Sequence, residues 1–409
     1  MRKPKKEQLE FLNWEWGVFF HFGIRTFNEG HADWDMQPMA LSSFNPTALD
    51  CDEWIRAVRD AGAKYAVLVC KHHDGFANWP SAYTEYSVRN TPWKGGKGDV
   101  VKDYVEACRK YGIKVGLYYS PAQFGSAKMN AKEYDDYFID QIRELLTNYG
   151  KIDYLWFDGC GSENHQYDTI RIIAEIRRCQ PEILIFNMWD PDTRWAGNEA
   201  GVAHSPNRLI VGALDFSIQQ EMKELLSEPA FLPVECDCRM RLANWFFSDQ
   251  DAHTVKTLDE LMGLYYYSVG RGANLLINIG PDRTGRLPEE DRRALLSFGA
   301  KIRENFTEFA ACRVAAQEKK LTLEMPAQLI NHAVLTEEST EEEIERFDIK
   351  AYPYPYGAPV TVYRGTTIGH KAICQFPAIR TSKIEVSFDR DKRVEARIKF
   401  IRQYGDISG

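Results

Sequence analysis

The stretch Tyr65-Ala66-Val67-Leu68-Val69-Cys70 runs directly into Lys71-His72-His73-Asp74-Gly75-Phe76. Its apolar half has no polar alternation. That predicts a strand buried on both faces, as in a parallel sheet covered by helices. The polar half sets two imidazoles at the C-terminal end of that strand. Outward from here the pattern repeats. Residues 18–22 read as a preceding strand, and 52–61 as a helix between the two, with Trp54, Ile55 and Val58 at helical spacing. Downstream, helices are expected over 100–111, 132–148, 169–179 and 258–269, and strands over 114–119, 153–157, 183–186, 231–236 and 274–279. Gly112 is placed as a helix C-cap, and Pro288 opens a last helix over 289–305. Polar residues gather just after the strand C-terminal ends, where a barrel builds its site. This favours a (β/α)8-like (TIM) barrel over a doubly wound open sheet. The run Gly95-Gly96-Lys97-Gly98 has the spacing of neither nucleotide-binding fingerprint.

Near residue 310 the character changes. Short, often alternating runs at 321–323, 333–335, 348–351, 359–363, 372–376, 383–388 and 395–400 predict a small β-sandwich. The expected domains are therefore 1–310, a catalytic barrel, and 311–409, a C-terminal β-sandwich. The acidic run at 337–345 reads as a solvated loop.

With 409 residues the chain is long enough for both. A net charge of −8 argues against a nucleic-acid partner. No apolar stretch follows Arg2-Lys3-Pro4-Lys5-Lys6, and no window is long and apolar enough for a membrane span, so neither a leader nor a membrane partner is expected. The nine cysteines are odd in number and irregularly spaced, which suits reduced thiols and a cytoplasmic location. Cys236 and Cys238 resemble half a metal site with no second half, and adjacent histidines rarely chelate one ion, so no metal is expected.

The candidate chemistry lies at the strand ends. Leu155-Trp156-Phe157-Asp158-Gly159 ends a strand in an acid. His21 ends the first strand, Asp33-Trp34 follows in the first loop, His72 and His73 end the second, and Tyr118-Tyr119-Ser120 the third. Imidazoles, a phenol and an acid converging on one rim form a polyol-binding set. Glycoside hydrolysis needs two carboxylates, one as nucleophile or base and one as proton donor. The second could be Glu199, in the glycine-rich stretch Arg194-Trp195-Ala196-Gly197-Asn198-Glu199-Ala200-Gly201, or Glu235 in Val234-Glu235-Cys236-Asp237-Cys238.

These motifs resemble the family 29 α-L-fucosidases, through 16–23, 65–88, 98–121, Trp156-Phe157-Asp158-Gly159 and 274–285. The resemblance implies a retaining exo-glycosidase with no cofactor, acting on fucosylated oligosaccharides or glycoconjugates. It implies Asp158 as the nucleophile and His21, His72, His73 and Tyr119 as contacts to fucose hydroxyls, with Trp156 at the pocket floor. Asp33 stands where many relatives have glutamate, and Trp34 beside it fits. The segment 194–201 resembles the acid/base loop of the α-1,3/1,4-selective subgroup. This supports Glu199 over Glu235 as acid/base and brings in Arg194. The segment 235–247 resembles the same subgroup, with Glu235 and Trp245 lining the pocket, and Gly365-Thr366-Thr367-Ile368-Gly369-His370-Lys371 resembles its galactose-binding-like sandwich. The rival readings are a catalytically weak fucose-binding protein and a hydrolase of a related sugar such as an α-L-galactoside.

Overall fold

The computed structural model describes residues 3–29, 38–122, 129–161, 165–214, 224–338 and 343–402. Chain order in the first part is α1 (Lys6–Leu12), β1 (Trp16–Phe20), α2 (Cys51–Ala61), β2 (Tyr65–Lys71), α3 (Val100–Tyr111), β3 (Lys114–Tyr119), α4 (Ala131–Asn148) and β4 (Tyr154–Phe157). Then come α5 (Thr169–Cys179), β5 (Leu184–Phe186), β6 (Arg194–Trp195), β7 (Ile210–Leu214), β8 (Glu224–Phe231), β9 (Val234–Arg239), α6 (Leu258–Tyr267), β10 (Asn274–Ile279) and α7 (Glu289–Phe306). The helices start and stop on local chemistry. Asp50, Asp99 and Asn130 cap α2, α3 and α4 by accepting from the backbone N–H of the third helical residue. Gly62 and Gly112 end α2 and α3 at φ of 91° and 68°, a left-handed turn that glycine adopts without strain.

Eight strands form one sheet in the order β5-β4-β3-β2-β1-β10-β9-β6. A parallel bridge between Phe186 and Thr193 joins the two edges, so the sheet closes into the expected barrel. Alternation splits each strand. Phe19, Tyr65, Val67, Val69, Tyr118, Tyr154, Trp156, Leu184, Phe186 and Leu276 fill the interior, while neighbours such as Phe20, Leu68, Leu117 and Phe157 pack under the helices. Gly17 is needed inside, since a Cβ there would lie 2.6 Å from the Tyr65 ring. Phe11 and Trp14 plug the N-terminal end, with Phe11 5.3 Å from Tyr154 and Trp14 5.4 Å from Tyr65 between ring centroids.

The expected elements need three corrections. The first strand is Trp16–Phe20 rather than 18–22, so His21 and Phe22 lie just beyond it. The run 231–236 spans two strands of different sheets: β8 ends at Phe231 and β9 begins at Val234, and Pro233 between them has no N–H to donate to either ladder. Glu235 is consequently the second residue of β9, not a strand end. The strand β6 is only two residues long and carries no apolar run, and β7 and β8 pair as an antiparallel ribbon outside the barrel.

The second part is antiparallel: β11 (Ala311–Glu337), β12 (Phe347–Pro353), β13 (Val360–Gly365) and β14 (Ala372–Lys399), in the order β11-β14-β12-β13. Five of the seven short runs read from sequence fall within these strands, and 359–363 and 395–400 overrun β13 and β14 by one residue each. β11 and β14 bend at bulges, so that 332–335 pairs with 372–375 on one side and 396–399 on the other. The sheet thereby doubles over its own core of Leu321, Leu335, Ile349, Val386 and Ala396, as a sandwich does. It docks on the N-terminal end of the barrel: Ile373 N donates to Gly270 O at 2.9 Å, Tyr266 OH lies 2.9 Å from His332 Nε2, and Lys371 pairs with Glu15.

One buried ion cluster holds the loop after β9. Arg241 donates to Asp291 at 2.7 and 3.0 Å and to Asp251 at 3.0 Å, and all three side chains are at least nine-tenths buried. Arg241→Ala would leave two buried carboxylates unpaired. It is expected to cost about 3–5 kcal/mol of stability by denaturant titration. A loss under about 1 kcal/mol, the value of an exposed pair, would contradict this.

Candidate active site

Asp158 follows β4 directly, at the C-terminal mouth of the barrel. Its side chain is 27% exposed. Tyr118 OH donates to Oδ2 at 2.8 Å and Cys160 N donates to Oδ1 at 2.9 Å, while His73 Nε2 lies 3.6 Å from Oδ2. The carboxylate is therefore oriented on both oxygens yet remains open to the mouth.

The imidazoles stand around it. A register shift in β2 between Val69 and Lys71 re-aims the chain just before His72 and His73. Trp79, Ser81 and Ala82 N all donate to Glu144 of α4, at 2.8–2.9 Å, which fixes the loop that follows. His73 Nδ1 lies 2.6 Å from Ser120 Oγ, whose own hydrogen goes to Ala122 O, so the network assigns the proton to His73 Nδ1. His21 Nδ1 lies 2.7 Å from Asn278 Oδ1, and Asn278 Nδ2 donates to Trp245 O. That makes His21 Nδ1 a donor and leaves Nε2 as an acceptor. Burial lowers His21 to about 3 and pushes His72 well below its ordinary value, so both rings are neutral near pH 7. His72 stacks on Tyr118 at 5.7 Å and meets Phe246 edge-on at 5.1 Å, while Trp245 lies 5.0 Å from His21. Neutral imidazoles among aromatic faces can exchange hydrogen bonds with hydroxyls while offering apolar surface to C–H bonds.

Glu199 comes in from β6. The turn after it is tight: Gly201 has φ of +74° and a Cβ there would lie 2.9 Å from Cys238 Sγ. Glu199 is half exposed and lies 3.7 Å from Arg239, whose guanidinium sits over Trp245 at 5.2 Å. The contacts Glu199–Arg239–Trp245–His21 place Glu199 on the same rim as the imidazoles. Trp156 lies below, 6% exposed and stacked on Phe186 and Tyr118, as a pocket floor would.

Three expected contacts are not at this rim. Tyr119 is fully buried and donates to Gln141 of α4, because odd-numbered positions of β3 face the helices; its neighbour Tyr118 faces the site. Arg194 donates to Asn207 Oδ1 and Arg208 O, while Trp195 takes the interior face of β6. Glu235 is fully buried near the plugged end, where Tyr65, Trp156 and Tyr154 donate to it. Asp33 and Trp34 lie outside the described residues. Sequence reasoning missed Tyr118, Asn278, Arg239 and Phe246; a period of two counted from Gly116 would have selected Tyr118.

Burial raises Glu235 to about 7 and Asp237, which accepts from Trp195 Nε1, to about 8. Both hold their protons more tightly folded than unfolded. The stability they support is present below the unfolded carboxyl range and is lost as pH rises through 7 to 8. Asp237→Asn cannot ionise, so its melting temperature relative to wild type should climb between about pH 5 and pH 8. A flat difference across that range would contradict the assignment.

His73, Asp158 and Cys160 bring three potential metal ligands within 4.8 Å of one another, the one such group among the described residues. A metal there would occupy the carboxylate that the chemistry below needs. Chelator treatment is accordingly expected to leave turnover unchanged, and loss of activity with recovery on adding Zn²⁺ would reverse that view. None of the nine cysteines forms a disulfide. Among the described residues no helix is long and apolar enough to cross a membrane.

A family model described as alpha-L-fucosidase matches residues 3–306. The Arabidopsis thaliana protein named alpha-L-fucosidase 1 is 35% identical over 306 residues, covering 72% of this chain; the chain spans only 59% of that protein's length. A rice protein (Oryza sativa subsp. japonica) named for the same activity is 31% identical over 448 aligned positions, which cover 98% of this chain and 85% of its own. The crystal structure of a glycoside hydrolase 29 family member from an unknown rumen bacterium has a TM-score of 0.88 at 30% identity, covering 99% of this chain and 79% of that one. The family match begins ahead of α1 and ends with α7, and the chain belongs to the α-L-fucosidase family.

Proposed function

We propose that this chain is a retaining exo-α-L-fucosidase that cleaves terminal α-1,3/1,4-linked fucose, with Asp158 as nucleophile and Glu199 as acid/base. The observation that carries the reading is Asp158, oriented by Tyr118 and the Cys160 amide, in a mouth walled by the neutral His21 and His72 and by Trp245. Fucose hydroxyls exchange hydrogen bonds with the imidazoles, and the C6 methyl lies against aromatic surface. Asp158 attacks the anomeric carbon as Glu199 protonates the leaving glycosidic oxygen. Water, deprotonated by Glu199, then displaces Asp158, and two inversions return the α anomer. A retaining pair works across about 5–5.5 Å. Glu199 stands half exposed on the rim, open to an incoming glycan, whereas Glu235 is sealed below the floor. The linkage preference is supported by the likeness of the 194–201 and 235–247 segments to the 1,3/1,4-selective subgroup.

Proton NMR during digestion of a Lewis-type trisaccharide, with 2′-fucosyllactose in parallel, tests both levels. α-Fucose appearing first and only from the Lewis sugar is the expected result. Release from both sugars removes the linkage preference, β-fucose first removes retention, and no release from either removes the fucosidase reading.

A further inference from the structure

We infer that Glu235 is a positioning residue for Asp158, acting from the closed end of the barrel through Trp156 and Tyr118. The inference rests on the fucosidase reading above. Glu235 has no solvent exposure, and its oxygens receive three aromatic donors across the barrel interior: Tyr65 OH at 2.7 Å, Trp156 Nε1 at 2.8 Å and Tyr154 OH at 3.4 Å. An interior layer of a barrel is ordinarily filled by branched apolar side chains, and burying an acid there is costly. Its partners show what it holds in place.

Trp156 has a single N–H, so the bond to Glu235 fixes which way the indole faces. The ring is clamped between Phe186, 4.1 Å away at 11°, and Tyr118, 5.4 Å away at 26°. Tyr118 in turn donates its hydroxyl to Asp158 Oδ2 at 2.8 Å. Carboxyl, indole, phenol and carboxylate thus form one continuous column from the plugged end of the barrel to its mouth. Trp156 also lies in β4, two residues upstream of Asp158, which follows that strand directly. A loosened indole lets the phenol and the nucleophile shift together. A displacement of about 1 Å at a reacting group can cost about 10²-fold in rate, and the loss appears in kcat.

Kinetics of the full chain on an aryl α-L-fucoside, with thermal melts of every variant, test this. Glu235→Leu is expected to lower kcat by about 10- to 100-fold with KM changed less than about threefold. Glu235→Gln keeps an acceptor for Trp156 and should recover most of the rate. Combined with Trp156→Phe, Glu235→Leu should add nothing to the loss from Trp156→Phe alone, since both cut the same column. A folded Glu235→Leu with wild-type kcat, or losses that multiply, would overturn the relay while leaving the fucosidase reading intact. Should Glu235→Leu fail to fold, Trp156→Phe decides, because it leaves Glu235 with two donors; unchanged kcat there overturns the relay. A wild type that turns over no α-L-fucoside overturns both.

Discussion

Replacing Asp158 with asparagine is expected to reduce kcat on an aryl α-L-fucoside by at least about 10³-fold, equivalent to about 4 kcal/mol of barrier. The amide is no nucleophile, so the covalent route is lost even though the side chain keeps its size. The surroundings deepen the effect. Tyr118 OH and Cys160 N both donate into the native carboxylate. An amide has one acceptor oxygen, so its NH₂ must face one of those donors. The Cys160 amide cannot turn, which directs the remaining oxygen toward it and leaves Tyr118 to reverse its hydroxyl. The variant should therefore fold with a melting temperature close to wild type, because the site is open to water and the hydroxyl can rotate. Circular dichroism and steady-state rates on the same preparation separate the two effects. Near-full activity in a folded Asp158→Asn would remove the nucleophile assignment.

Glu199→Ala should be the next largest loss and should depend on the leaving group. On a glycan, whose departing hydroxyl needs a proton, the loss is expected to be about 10²- to 10⁴-fold, the usual worth of a positioned acid. On an activated aryl fucoside, defucosylation of the enzyme becomes the slow step. There azide, which needs no general base, should restore turnover and yield fucosyl azide. The half-exposed position of Glu199 leaves room for azide once the side chain is shortened. Absence of rescue would move the acid/base role elsewhere. Glu235 is a poor successor, since three buried donors surround it and Trp156 lies above it.

The barrel was legible because its strands are apolar on both faces and its helices carry their own caps. Asp158, His21, His72 and His73 were legible as polar breaks at the ends of apolar runs. What escaped was facing and register. Tyr118 and Tyr119 are alike in composition, and only the alternation set by the pairing of β3 with β2 and β4 decides which ring looks inward. Arg194 belongs to a two-residue strand whose direction comes from pairing with Val234, a partner 40 positions on. Glu235 was assigned to the open end because Pro233 hides the boundary between β8 and β9. Such facts belong to long-range pairing, which no local window contains.

The circular order of the barrel also dictates when it can be completed. β1 pairs with β2, but its other edge waits for β10, which begins at Asn274. Until then the row of N–H and C=O groups from Trp16 to Phe20 has no partner on that side. Pairings so distant in sequence are slow to form, because a long loop must close before they repay its entropy. During synthesis the first strand is thus committed early and satisfied late. The unsealed edge, flanked by Phe19 and Phe20, is an open pairing surface on the nascent chain of the kind that chaperones shield.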